Sequence, residues 1–198
     1  MSEILKKYIP ENSFHLLNKI LEAHPINIKI VNNRKTKHGD FKKQPNLQPE
    51  ITINNSLNKY QFLLTLVHEL AHFVTFKNYK RVKPHGKEWK LNFQHLMLPF
   101  LQPAIFPNEL LPFLANYLIN PKASTNSDTN LTYALKQYNA KSDKSFIFEI
   151  EFGSFFQYNN KTFEKGLLRR TRFECVEITN KKVYLFNKNA EVKLIRES

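Results

Sequence analysis

The stretch Leu66-Val67-His68-Glu69-Leu70-Ala71-His72-Phe73-Val74 constrains this chain more than any other. It sets His-Glu-x-x-His inside an apolar run that reads as a helix. Residues four apart on an α-helix differ by about 40° of rotation and ~6 Å of rise. Both imidazoles therefore lie on one face and can reach a single zinc ion, at about 2.0–2.1 Å from each nitrogen. Glu69 follows the first histidine directly, so its carboxylate can stand beside the metal and accept a proton from water there. Two core histidines with a surface glutamate would be the bland reading. The helical setting and the rarity of the pattern by chance favour a metal site.

A third ligand decides the type of site. Metzincins place Gly three and His six residues beyond the second ligand; here Thr75 and Asn78 stand there, which excludes that class. A glutamate ligand on a following helix would come from Glu88 or Glu109. The simplest choice is His85, thirteen residues after His72 and at the start of the next helix. The loop before it is long enough to fold back onto the metal, and Gly86 would let the backbone turn closely.

With 198 residues and 41% apolar composition, the chain suits one compact domain, or one domain with a small appendage. No window is apolar enough for a membrane helix, and the start lacks the core of a secretion signal. A single cysteine, Cys175, excludes an internal disulfide and a cysteine-based zinc ribbon, so a reducing cytoplasm is the expected setting. A formal charge of +13 points to a polyanionic partner, nucleic acid first. Lys/Asn/Ile/Phe-rich composition supplies a competing explanation for part of that charge.

Spacing predicts a helix over 11–23, stopped at His24-Pro25, and a half-buried strand at Ile26–Val31. The basic stretch from Asn32 to Lys43, with Arg34, Lys35, Lys37, Lys42 and Lys43 around Gly39, reads as a hairpin loop entering a second strand near Phe41. A further strand follows at Ile51–Ile53. The active helix is expected from Asn58 to Phe76, then a basic loop with Lys80, Arg81 and Lys83, then a helix from His85 through Met97. Another helix is expected at Asn108–Leu118, with Asn108 as its cap. Polar residues at 121–130 read as a linker between a domain at 1–120 and a module at 131–198. That module opens with a short helix at Leu131–Tyr138. From Phe146 the apolar period is two (Phe146, Phe148, Ile150, then Val183, Leu185, Val192 and Leu194), which predicts an antiparallel sheet of four or five strands.

The motif residues His68-Glu69-Leu70-Ala71-His72 and His85-Gly86-Lys87-Glu88-Trp89 resemble the SprT-like (SprT/Spartan) zinc metalloproteases. The likeness reaches upstream to His38-Gly39-Asp40-Phe41 and to Ile51-Thr52-Ile53-Asn54-Asn55-Ser56-Leu57, and is close over roughly residues 5–120. It implies an α+β class with a minimal zincin-like domain: a few helices and a small β-sheet beside the active helix. It also implies one zinc ion per chain on His68, His72 and His85, with Glu69 as base. Family members with known activity cut proteins crosslinked to DNA. Many carry a cysteine zinc ribbon, which this chain lacks; its C-terminal β module stands as a metal-free counterpart, as in a bacterial subgroup.

The expected function is thus zinc-dependent peptide hydrolysis by a cytoplasmic monomer, with a protein substrate and with DNA, single-stranded or protein-crosslinked, on the basic loops. Arg34, Lys35, Lys37, Lys42, Lys43, Arg81 and Lys83 flank the cleft in sequence, and Arg169, Arg170 and Arg172 form a further cluster on the β module. The main rival is a non-enzymatic nucleic-acid module with a retained zinc. An intact Glu69, and three ligands where structural zinc usually has four, weigh against it. A zinc hydrolase acting on something other than peptides has no phosphate-binding glycine loop or paired carboxylates to support it.

Overall fold

A computed structural model describes residues 2–34, 36–43, 48–140 and 142–195. Helices and strands form an α+β fold in two compact units that meet between Asn139 and Ala140.

The first unit carries helices α1 (Ser2–Leu5), α2 (Phe14–Ala23), α3 (Lys59–Asn78), α4 (Lys87–Met97), α5 (Leu111–Ile119) and α6 (Thr129–Lys136), with strands β1 (Asn27–Val31), β2 (Gly39–Lys42) and β3 (Glu50–Asn54). β1 and β2 do not pair with each other, so they are not the two arms of the expected hairpin. Strand β3 lies between the other two, parallel to β1 and antiparallel to β2. The burial pattern explains this order: Ile51, Thr52, Ile53 and Asn54 are all buried, as only a central strand covered on both faces can be. β2 is left at an edge.

Helix α3 starts where its cap predicts. The Asn58 side chain accepts the Tyr60 and Gln61 backbone N–H groups at 3.1 and 3.0 Å. Its amide then donates to Leu135 O at 2.9 Å and Asn139 Oδ1 at 2.6 Å, tying the start of α3 to α6. Residues Gln61 to Ala71 of α3 are buried without a break. A helix apolar on nearly every side belongs in the centre of a domain, and α3 packs on β2, β3 and α4.

The two compact units divide after Asn139, beyond the linker expected at 121–130. Asp128 caps α6 by accepting Leu131 N–H at 3.1 Å, and Leu131 and Leu135 are buried in the same core as Phe62, Leu66 and Trp89. Residues 121–139 therefore belong to the first unit. Polar composition at 121–128 reflects hydrogen-bonded turns, not a free tether. Helix α5 also begins later than expected: Leu110 is its cap residue, and Asn108 lies in the preceding turn.

The second unit is a six-stranded antiparallel sheet, β4 (Lys144–Phe146), β5 (Phe155–Tyr158), β6 (Lys161–Arg169), β7 (Arg172–Glu177), β8 (Val183–Asn187) and β9 (Glu191–Leu194), in the order β4-β9-β5-β6-β7-β8. It has one strand more than the longest expectation. Its core is Ile147, Ile150, Phe156, Phe163, Cys175, Phe186 and Val192. Two parity readings fail here. After Phe146 the chain leaves the strand for a single 3₁₀ turn over Ile147–Glu149, so Ile147 is buried in place of Phe148. In β8, Val183 and Leu185 are 60% and 51% exposed while Phe186 is buried. Phe186 and Tyr184 meet Phe163 edge to face at 5.0 and 5.5 Å, and the larger aromatic pair takes the core face.

Candidate metal centre

His68 and His72 stand one turn apart on α3, and His85 enters from the loop before α4. His72 Nε2 and His85 Nε2 are 2.9 Å apart, and His85 Nε2 and His68 Nε2 are 3.3 Å apart. Two nitrogens bound tetrahedrally to one zinc at 2.0–2.1 Å would be about 3.3 Å apart. Three convergent imidazole nitrogens cannot all satisfy one another, because each neutral ring has one N–H. A divalent cation satisfies all three. Burial lowers all three basicities, to about 3 at His68 and about 4 at His72, with mutual repulsion adding to it; His85 is lowered in the same direction. Neutral, lone-pair-bearing rings are what a metal requires.

Geometry at His85 differs from the simplest expectation. His85 itself takes the left-handed conformation (φ 56°), and Gly86 has an ordinary φ of −71° as the cap residue of α4. Glycine is needed at 86 for space: a Cβ there would lie 2.9 Å from the Lys83 carbonyl, which accepts the Gly86 N–H. Strain of this kind, typically ~1–3 kcal/mol, survives where surrounding structure imposes it and concentrates at functional sites. Trp89, one turn into α4 and fully buried, packs on all three rings at centroid distances of 4.6 Å (His68), 5.3 Å (His72) and 4.7 Å (His85). It is the floor that fixes their planes. The family resemblance places Trp89 in the motif without showing that role.

Glu69 lies between α3 and the β2 edge. His38 O accepts from Asn54 N, so strand alternation turns the backbone groups of Gly39 and Phe41 away from β3. The Phe41 backbone hydrogen-bonds the Glu69 carboxylate. Desolvation pushes the Glu69 carboxyl up to about 7; Asp40 adds to this, while the Phe41 bond, Arg34 and Lys37 oppose it. Gly39 makes room for this carboxylate, since a Cβ there would sit 2.8 Å from Glu69 Oε1.

The cleft beside Glu69 has a volume of about 240 Å³ and runs from the 36–39 loop across α3 to Ala123, Ser124 and Thr125. Nothing in the local pattern of residues 123–125 indicated that they would face the site. Glu88 and Glu109 are not among the convergent ligand groups, which comprise the three histidines.

The basic residues separate into two groups. Arg34 is committed internally: Nε donates to Asn54 Oδ1 at 2.8 Å and NH1 to Thr52 Oγ1 at 2.9 Å. The fully buried Asn54 in turn donates to Lys37 O at 2.9 Å, so this network holds the loop that walls the cleft. Lys37 pairs with Asp40 at 2.7 Å, and Arg169 with Glu174 at 3.0 Å. Lys42, Lys43, Arg81, Lys83, Arg170 and Arg172 are exposed, with Lys43 over the Phe76 ring at 4.7 Å. Lys35 lies outside the described residues.

Among the described residues, no helix is long and apolar enough to cross a membrane. Residues 11–104 match the model of the SprT-like family. Curated proteins called Protein SprT are similar over shorter stretches. That of Yersinia enterocolitica is 40% identical over 52 residues, covering 24% of this chain and 31% of that protein. The Proteus mirabilis protein is 47% identical over 45 residues, 21% of this chain and 27% of its own length. The Escherichia coli K12 protein is 40% identical over 52 residues, 26% and 30% respectively. The chain thus spans about a third of the length of the curated relatives it matches. No solved structure matches. Residues 11–104, which hold the three convergent histidines and Glu69, are thus similar to the SprT-like family.

Proposed function

We propose that this chain is a zinc-dependent metalloendopeptidase with a zincin-like catalytic domain. The observation that carries the reading is the meeting of three histidine Nε2 atoms beside a buried glutamate whose pKa is raised to about 7. His68, His72 and His85 would hold one zinc ion, and the convergence of their ring nitrogens together with the SprT-like family match supports that ligand set. Zinc there would supply Lewis acidity, lowering the pKa of water toward about 7 and polarising the scissile carbonyl. Glu69 takes the proton from the attacking water and delivers it to the leaving amine. An extended substrate segment adds to the outer edge of β2, which pairs with no other described strand.

DNA-associated or DNA-crosslinked proteins are the proposed substrates, in a cytoplasmic setting and with the chain as a monomer. The excess of thirteen positive charges supports this, with Lys42, Lys43, Arg81, Lys83, Arg170 and Arg172 as the proposed phosphate contacts. Arg34, Lys37 and Arg169 are withdrawn from that set because their guanidinium or ammonium groups have internal partners.

The deciding assay is proteolysis of a basic DNA-binding protein by the zinc-loaded chain, with and without single-stranded DNA, beside Glu69→Gln. The expected result is DNA-stimulated cutting that Glu69→Gln lacks while still binding one zinc. Equal cutting by the variant would remove the mechanism, and zinc binding without any cutting would favour a non-enzymatic role.

A further inference from the structure

Four of the ten residues lining the cleft beside Glu69 carry hydroxyls, and Lys37, His38, His68 and Glu69 supply its charged and imidazole groups. Thr36 and His38 line it from the segment before β2, Thr65 from α3, and Ser124 and Thr125 from the segment before α6. His68 and Glu69 close one end, so the space adjoins the position where a bond would be cut. The hydroxyls of Thr36, Thr65, Ser124 and Thr125 make no hydrogen bond to any described residue, and Ser124 makes no capping bond to the turn it precedes. Elsewhere in this unit the same side chains are used locally: the Thr75, Ser127 and Thr132 hydroxyls all donate to backbone carbonyls.

The far wall is held in place. Ser124 O accepts both the Ser127 N–H and the Ser127 hydroxyl, and Thr125 O accepts the Asp128 N–H and the Thr132 hydroxyl. Tyr117 OH donates to Lys122 O at 3.0 Å just before it. Donor and acceptor positions across the cleft are thereby preset, as a selective subsite requires.

We propose that this cleft is a specificity subsite for a short hydrogen-bonding side chain (serine, threonine, asparagine or glutamine) at one residue flanking the scissile bond, read by the hydroxyls of Thr65, Ser124 and Thr125. The assignment rests on the proteolysis proposed above. An apolar side chain entering the same space would displace water from several hydroxyls and leave them unpaired, and sites built for hydrogen bonding reject such analogues.

The test is cleavage of a diverse peptide pool by the zinc-loaded chain, with both residues flanking each cut read by mass spectrometry. At one flank the hydrogen-bonding side chains should exceed leucine, valine and phenylalanine by about tenfold or more in kcat/KM. In a Thr65→Val, Ser124→Ala double variant that ratio should fall to about threefold or less. Absence of preference at both flanks, or a preference that the double variant keeps, overturns the subsite. Total absence of cutting by the wild type overturns the proteolysis reading instead. The subsite then stands or falls on titrating Glu69→Gln with glutamine and leucine versions of one peptide. Shifts of the Thr65 and Thr125 amide resonances with the glutamine peptide alone uphold it; equal shifts or none overturn it.

Discussion

Gly39→Ala isolates the placement of Glu69 from the binding of metal. The added methyl would stand 2.7 Å from Thr65 Cγ2, 2.8 Å from Glu69 Oε1 and 2.9 Å from Glu69 Cγ. Optimal contact between carbon atoms is about 3.5–4.0 Å, so these groups must part by roughly 0.6–0.8 Å at least. The backbone of Gly39 is not in the left-handed region, so the substitution adds steric pressure without conformational strain. Thr65 sits on a helix buried on nearly every side, which leaves the Glu69 side chain as the softest element. Misplacing a reacting group by 1 Å typically costs about a hundredfold in rate, so kcat/KM should fall roughly 30–100-fold. Overpacking should cost about 1–3 kcal/mol of stability, read as a lowered Tm. Zinc stoichiometry should remain one per chain, because none of the atoms pressed upon belongs to His68, His72 or His85. Measuring turnover, Tm and bound zinc on one preparation separates the three effects. A variant with wild-type turnover would refute the placement of Glu69 against β2.

The metal-free protein should lose stability on acidification. His68 and His72, lowered to about 3 and about 4, stay neutral in the fold while the unfolded chain protonates near 6.5, and Glu69, raised to about 7, works in the opposite sense above 4.5. Two terms against one, each of about 1.4 kcal/mol per pH unit, leave a net loss of at least about 1.4 kcal/mol per unit as pH falls from 6.5 to 4.5, with the lowered His85 adding in the same sense. Denaturant melts of chelator-treated protein across that range check it, and a flat profile would contradict the burial of the histidines. Asn54→Ala removes the acceptor of Arg34 and the donor to Lys37 O, so it should destabilise the first unit by about 1–3 kcal/mol and weaken peptide cleavage through KM before zinc binding. Replacing Arg170 and Arg172 together with alanine should lower single-stranded DNA affinity and reduce the slope of log K against log salt by about 1.4, while Arg169→Ala changes it less. A salt slope untouched by the double change would return those charges to composition.

Much of the site was legible before any fold was known, because its information is local. His68, Glu69 and His72 need only helical periodicity, and Asn58 announces the helix that carries them. His85 was reachable by spacing alone, though the division of labour between it and Gly86 was not: which residue takes φ 56° depends on the Lys83 carbonyl. Basic residues were read by type, and type does not say who has a partner. Arg34 faces Asn54 and Thr52, twenty and eighteen residues away, while Arg170 and Arg172 stay in solvent.

Local sequence sets the donor groups: two imidazoles on one helical face with a carboxylate beside the first, a third imidazole after a loop, and a single cysteine. Packing between distant segments sets what surrounds those groups. β3 enters between β1 and β2 because it alone can be buried on both faces, and this leaves β2 as the edge beside Glu69. Residues 121–128 look like a tether, yet Ala123, Ser124 and Thr125 within them line the cleft, held by Asp128, Thr132 and Tyr117. In β8 a one-residue parity choice went to Phe186 over Leu185. Each outcome turns on contacts between segments distant in the chain, where local periodicity carries no information about which of two faces, edges or partners buries more surface.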